Sequence, residues 1–139
     1  MPADYRIARA LGLVISRGWG VVTDDDLLGH ARALGRDPHF RPDLRQLYDF
    51  RDAAAQDFGG ATVLELANLS PFGAGARRAI VVGGDIAFGM AQMFKLLRDN
   101  LRDDIRVFRD VGEALAWLDL AEHAAEVLAT LATIREAHD

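Results

Sequence analysis

LYDFRDAAAQDFGG, residues 47–60, reads as a buried strand that runs into an acidic loop and hands over to a helix. Residues 46–50 supply the strand, Asp52 and Asp57 with Phe58, Gly59 and Gly60 make up the loop, and residues 61–69 suit a helix. A strand passed directly to a helix is half of a βα unit, and such units place their chemistry in the loops beyond the strand ends.

Upstream, residues 5–8 and 13–22 are β-rich and separated by a short stretch holding Gly12, which predicts an opening hairpin. Gly18 and Gly20 flank Trp19 inside the second strand, a signal of a bulge or a close backbone approach. Thr23 with Asp26 three residues on predicts a helix start, Leu27, Ala31 and Leu34 share one face, and Gly35 ends it. Downstream, 70–75 is turn-rich and 79–82 is an apolar run of the kind covered on both faces. After Gly83, Gly84 and Asp85 a helix is expected with Ile86, Met90, Met93 and Leu97 inward, then a fifth strand over 105–108. Asp110 with Glu113 opens a final helix that no glycine or proline interrupts from 114 to the end. The order ββαβαβαβα predicts an α/β fold: a mixed, mostly parallel five-stranded sheet with helices packed on it, plus a C-terminal helical extension. The domain is placed at 1–118 and the extension at 119–139.

A chain of 139 residues, half of them hydrophobic, suffices for one domain burying roughly two-thirds of its unfolded surface. The formal charge of −5 offers no positive field to nucleic acid. There is no cysteine, so disulfides, thiolate metal sites and cysteine nucleophiles are excluded. No run approaches the ~20 apolar residues of a membrane span and the amino terminus has no apolar signal core, so a cytoplasmic protein is expected.

The element order, Asp49 at the strand end, and Asp57 eight positions on followed by Gly60 resemble the STAS domain, the fold of bacterial anti-sigma-factor antagonists of the SpoIIAA type, over about residues 4–118. Phrases such as VVTDDDLL, PFGAGARRAIVV and IRVFRDVGEALAWL look closer to the stand-alone SpoIIAA-like proteins, a group similar to both STAS and the CRAL-TRIO lipid carriers. The resemblance implies a D-S-S-G or D-S-T-G motif whose serine a partner kinase phosphorylates. Here Asp57, Phe58, Gly59 and Gly60 hold those four positions, so the acceptor hydroxyl is missing.

Asp49, Asp52, Asp85 and Asp110 follow strand ends, where hard oxygen ligands can gather around Mg²⁺. Capping of helix starts by Asp85 and Asp110 accounts for two of them without a metal, so no metal or cofactor is expected. Gly83 and Gly84 make only a weak anion cradle, which Asp85 opposes. His30, His39, His123 and His138 lack metal-ligand spacing, and neither Ser16 nor Ser70 sits in a nucleophile elbow. The expected function is therefore a non-enzymatic binding or regulatory module with no catalytic residue, possessing an apolar ligand or partner surface at Phe58, Phe72, Phe88, Met90, Met93 and Phe94. The alternative is a small carrier or sensor for an apolar ligand or lipid, favoured by an unfilled pocket above ~300 Å³ between helices and sheet.

In the last helix Trp117, Leu120, Ala124, Val127, Leu131 and Ile134 repeat at spacings of three and four, the seam of a helix packed along another. A continuous helix from 111 to 137 would reach about 40 Å, longer than the domain. The seam predicts a homodimer through the extension, with an unidentified protein partner as a further contact; the competing arrangement kinks near Asp119 and folds back.

Overall fold

The computed structural model describes residues 2–57, 59–99 and 103–138, with residues 55–57 described by their backbone. Five strands form one sheet in sequence order: β1 (Ala3–Ala8), β2 (Leu13–Thr23), β3 (Arg45–Asp57), β4 (Arg77–Val82) and β5 (Asp104–Phe108). β1 lies antiparallel to β2 and the remaining neighbours are parallel. The helices α1 (Asp24–Arg36), α2 (Gly60–Leu69) and α3 (Asp85–Asp99) connect successive parallel strands, and α4 (Val111–Trp117) and α5 (Ala124–Glu136) complete the chain. Right-handed crossovers that always advance in one direction put their helices on one face. That rule places α1–α3 together and leaves the opposite face for α4 and α5.

Strand alternation divides the core accordingly. Leu13, Ile15, Leu47, Ala79 and Val81 point to one side, where they pack with Leu115, Leu118, Leu120, Val127, Leu131 and Ile134. Val14, Ile80, Val82 and Ile105 point to the other, against Leu34 of α1 and Ala91 of α3. Local signals support these elements. Thr23 and Asp26 form a reciprocal capping box, and Asp110 Oδ1 accepts from the Gly112 amide at 2.7 Å.

The structure departs from the expected β3 and acidic loop. β3 does not stop near Phe50 but continues to Asp57, residues 52–57 pairing with 19–23 of β2 beyond the point where β4 ends. The length of β2 provides the edge, so backbone pairing alone makes strand of a sequence poor in β-formers. Two register shifts, at Arg17/Trp19 and Gly20/Val21, accompany Gly20 with φ +62°. Gly18 is required for space: a Cβ there would lie 2.8 Å from the Phe50 ring.

The C-terminal helix also differs. It breaks at Asp119, the one non-glycine among the described residues with positive φ, at +62°. The Asp119 amide donates to the Ala116 carbonyl and the Leu120 amide to the Leu115 carbonyl, at 3.0 and 2.8 Å, which is the bonding of a Schellman cap. Arg45 holds the turn by donating to the Leu118 and Leu11 carbonyls. The chain then doubles back, and α5 lies on β2 and β1. The proposed seam faces its own sheet: Leu120, Val127, Leu131 and Ile134 are buried, Ala124 packs against the same cluster, and Trp117 lies against Phe108. The apolar face that asked for a second subunit is covered within one chain. These residues therefore do not present a dimer face in this arrangement.

Candidate functional site

The site is built on the sheet face beneath α1–α3. Ser16 of β2, Gln46 and Tyr48 of β3 and Arg78 of β4 all point to this face, and all are buried. Buried polar groups need partners, and these have assembled a chain of them. His30 Nε2 lies 2.9 Å from Ser16 Oγ, which accepts from Gln46 Nε2 at 3.1 Å. Gln46 Oε1 accepts from Arg78 Nε at 3.1 Å. Arg78 Nη1 donates to Ser70 Oγ at 2.9 Å and lies 3.5 Å from Asp103 Oδ2. Asp103 accepts from Arg98 through both oxygens, at 2.6 and 3.0 Å, and Arg98 Nη1 donates to the Ala67 carbonyl.

Aromatic rings run beside this chain. Tyr5, His30, Tyr48 and Phe50 follow one another at centroid separations of 5.4, 4.7 and 4.2 Å. The Arg78 guanidinium carbon lies 4.2 Å from the centroid of the Phe72 ring and 5.2 Å from that of Phe94. Burial pushes His30 down to about 4, with Arg78 acting in the same direction and Asp4 against it, so the imidazole is neutral at pH 7. Burial likewise lowers Arg78 to about 10 while leaving it charged, and raises Tyr48. The Tyr48 hydroxyl has no hydrogen-bond partner among the described residues.

Of these side chains His30, Gln46, Tyr48, Phe50, Phe72 and Arg78 line a pocket of about 110 Å³ between the sheet and the three helices, bounded by Val63 and Leu66 of α2 and by Ala87, Met90, Ala91 and Phe94 of α3. A shallower groove of about 210 Å³ at the strand ends, by Gly83, Gly84 and Asp85, shares Phe50, Ala53 and Ala87 with it. The pocket is smaller than the 300 Å³ expected of a carrier, and its lining is mainly apolar.

The sequence-predicted residues are distributed unevenly about it. Met90, Phe94 and Phe72 line the pocket; Phe72 is buried core, edge-on to Phe40, and not a loop aromatic at the rim. Phe88 packs in the cluster with Ile80 and Val82, beneath Arg109, and Met93 lies against Gly60, where a Cβ would come 3.1 Å from its methyl carbon. Phe58 lies outside the described residues. The expected inward stripe of α3 is displaced: Ala87, Ala91 and Phe94 face the sheet and Arg98 is buried, while Ile86 is 76 % exposed. Arginine at position 98 hid the true stripe, because its charge reads as a solvent face.

The carboxylates do not converge. Asp49, buried, is held by Arg51 through both oxygens, Asp52 pairs with Arg17, Asp85 stands in the first turn of α3 paired with Arg109, and Asp110 caps α4. Among the described residues no three acidic or histidine side chains are grouped to hold a metal. Asp57 ends β3, Gly59 is the N-cap of α2 and Gly60 its first residue, and Thr62 is buried. Sequence reading missed the Ser16–His30 pair, since alternation along β2 and the inward face of α1 bring together residues 14 apart. Ser16 is fully buried and shares its oxygen with Gln46, out of reach of a substrate carbonyl.

No helix among the described residues is long and apolar enough to cross a membrane. Comparison with known proteins finds no matching family model, and no curated protein matches. Among solved structures, the chain is similar to the crystal structure of an uncharacterized protein of the DUF3478 family with a SpoIIAA-like fold from Shewanella loihica PV-4. The two are 19 % identical, the match covers 84 % of this chain and 93 % of that one, and the TM-score is 0.56. At that identity the likeness carries the fold: this chain has a SpoIIAA-like fold, an α/β architecture with one antiparallel and three parallel strand pairs.

Proposed function

We propose that the protein is a non-enzymatic binding module that holds a small apolar guest between α1–α3 and the sheet. The supporting observation is the pocket itself, apolar along α2 and α3 and polar at Arg78, Gln46 and His30. A void of ~150 Å³ takes a benzene-sized molecule, so about 110 Å³ suits a small body and not a long lipid chain. Against catalysis stand a serine no substrate reaches, a histidine too weakly basic at neutral pH, and carboxylates engaged by guanidinium or amide partners. Against a serine switch of the STAS kind stand Phe58 and Gly59, which carry no hydroxyl, and Thr62, which is buried.

Titration with ethylbenzene tests the reading, comparing the unaltered protein with Ala91→Leu, which fills the pocket from α3. Saturable binding that Ala91→Leu abolishes is expected. Equal binding to both, or none to either, overturns the assignment.

A second reading, a protein-interaction or self-associating module, draws support from large apolar side chains left exposed: Leu64 on α2 and Ile86 and Leu96 on α3. Sedimentation of the full chain across a range of concentrations tests it, with a constant monomer mass counting against self-association.

A further inference from the structure

We propose that the guest is a small monocarboxylic acid whose carboxylate is taken by Arg78, with its apolar body lying against Phe94 and Met90. The inference rests on the pocket reading above and adds the ligand's chemical class. Arg78 and Arg98, both more than nine-tenths buried, share a single buried carboxylate, that of Asp103. The cluster therefore carries one positive charge more than it neutralises. Its neighbours do not supply the difference. His30 is uncharged at pH 7, and the charged side chains that act on Arg78 are Asp103 and Arg98, whereas the carboxylates of Asp26 and Asp4 act on Tyr48.

Asp103 is also unevenly shared. Arg98 takes both of its oxygens at 2.6 and 3.0 Å, whereas Arg78 reaches it only at 3.5 Å. Arg78 Nε and Nη1 are engaged by Gln46 and Ser70, and Nη2 makes no hydrogen bond among the described residues. A buried guanidinium in the wall of an apolar pocket, held at Nε and Nη1 mainly by the neutral Gln46 and Ser70, is a recognition group for a planar anion. Two residues along β3 from Gln46, on the same face, Tyr48 contributes a buried hydroxyl with no hydrogen-bond partner among the described residues, a second donor on that wall. A neutral guest would leave the excess charge buried, and a cation would double it. The size and charge together select an acid with a body no larger than a benzene ring.

The test is a calorimetric series on the unaltered protein with phenylacetate, phenylacetamide, ethylbenzene and 2-phenylethylammonium. Phenylacetate is expected to bind at least tenfold more tightly than the amide or the hydrocarbon, with no binding of the ammonium ion. In Arg78→Met, phenylacetate and ethylbenzene should bind alike. If the hydrocarbon and amide match the acid in the unaltered protein, the carboxylate assignment fails while the pocket reading stands. If none of the four binds, both fail. The unaltered protein decides the question even if Arg78→Met does not fold.

Discussion

The Leu120 amide donates to the Leu115 carbonyl across the turn at Asp119, and the two side chains are buried in one cluster. This is the contact that accompanies a Schellman cap, with aspartate in the left-handed position usually given to glycine. It converts a long helix into two shorter ones on a single sheet face.

Relief of the backbone at that position should stabilise the protein. Asp119→Gly is expected to gain about 1 kcal/mol, a rise in Tm of about 3 °C, because glycine adopts φ +62° without steric cost. Asp119→Val should lose at least as much. Thermal denaturation by circular dichroism reads both, and a drop in Tm for the glycine variant would count against the turn geometry.

Because α5 completes its own subunit's core, cutting it back should destabilise the monomer. Leu131→Ala, at a position 3 % exposed, is expected to cost about 3 kcal/mol. The Tm of the unaltered chain should not depend on protein concentration, whereas a core completed by a partner's helix would give a Tm that climbs with it.

Gly18 and Phe50 should behave as a coupled pair. Gly18→Ala drives a methyl into the Phe50 ring and should cost about 2 kcal/mol. Phe50→Leu in the same chain should recover part of that loss. Additive effects in the double-mutant cycle would show that the two positions do not touch.

His30 gives the fold an acid-sensitive element. Its folded value of about 4 lies below the ordinary 6.5, so the unfolded chain binds the proton more readily between those pH values. The contribution is complete above pH 6.5 and is lost as pH falls toward 4. Between pH 7 and pH 4.5 the unaltered protein should lose about 2–3 kcal/mol more than His30→Gln in urea denaturation. Parallel losses would mean that the imidazole is not buried neutral.

Much of the fold was legible because local signals and tertiary structure agree. Thr23 and Asp26 announce a capping box and form one, and the apolar run from Ala79 to Val82 is a strand covered on both faces. The sequence misled where tertiary context prevailed. Residues 51–57 are strand only because β2 is long enough to pair with them. The break at Asp119 carries neither glycine nor proline, so nothing local marked where the helix would turn back. The polar chain that runs through the pocket wall and behind it was the least readable, since Ser16, His30, Gln46, Arg78, Arg98 and Asp103 are scattered along the sequence and meet only when the strands are placed side by side. Met90 was legible from helical spacing, whereas Phe94 lay outside the expected stripe of Ile86, Met90, Met93 and Leu97, and nothing local distinguished a pocket wall from a filled core.

The most direct test of a guest site beneath α1–α3 is a methionine-methyl NMR titration of the unaltered protein with phenylacetate. Met90 lines the pocket, while Met93 lies beside Gly60. Saturable displacement of the Met90 methyl resonance, with that of Met93 little changed, is the predicted result. Resonances that stay in place to millimolar phenylacetate, or that move at Met93 alone, would contradict it.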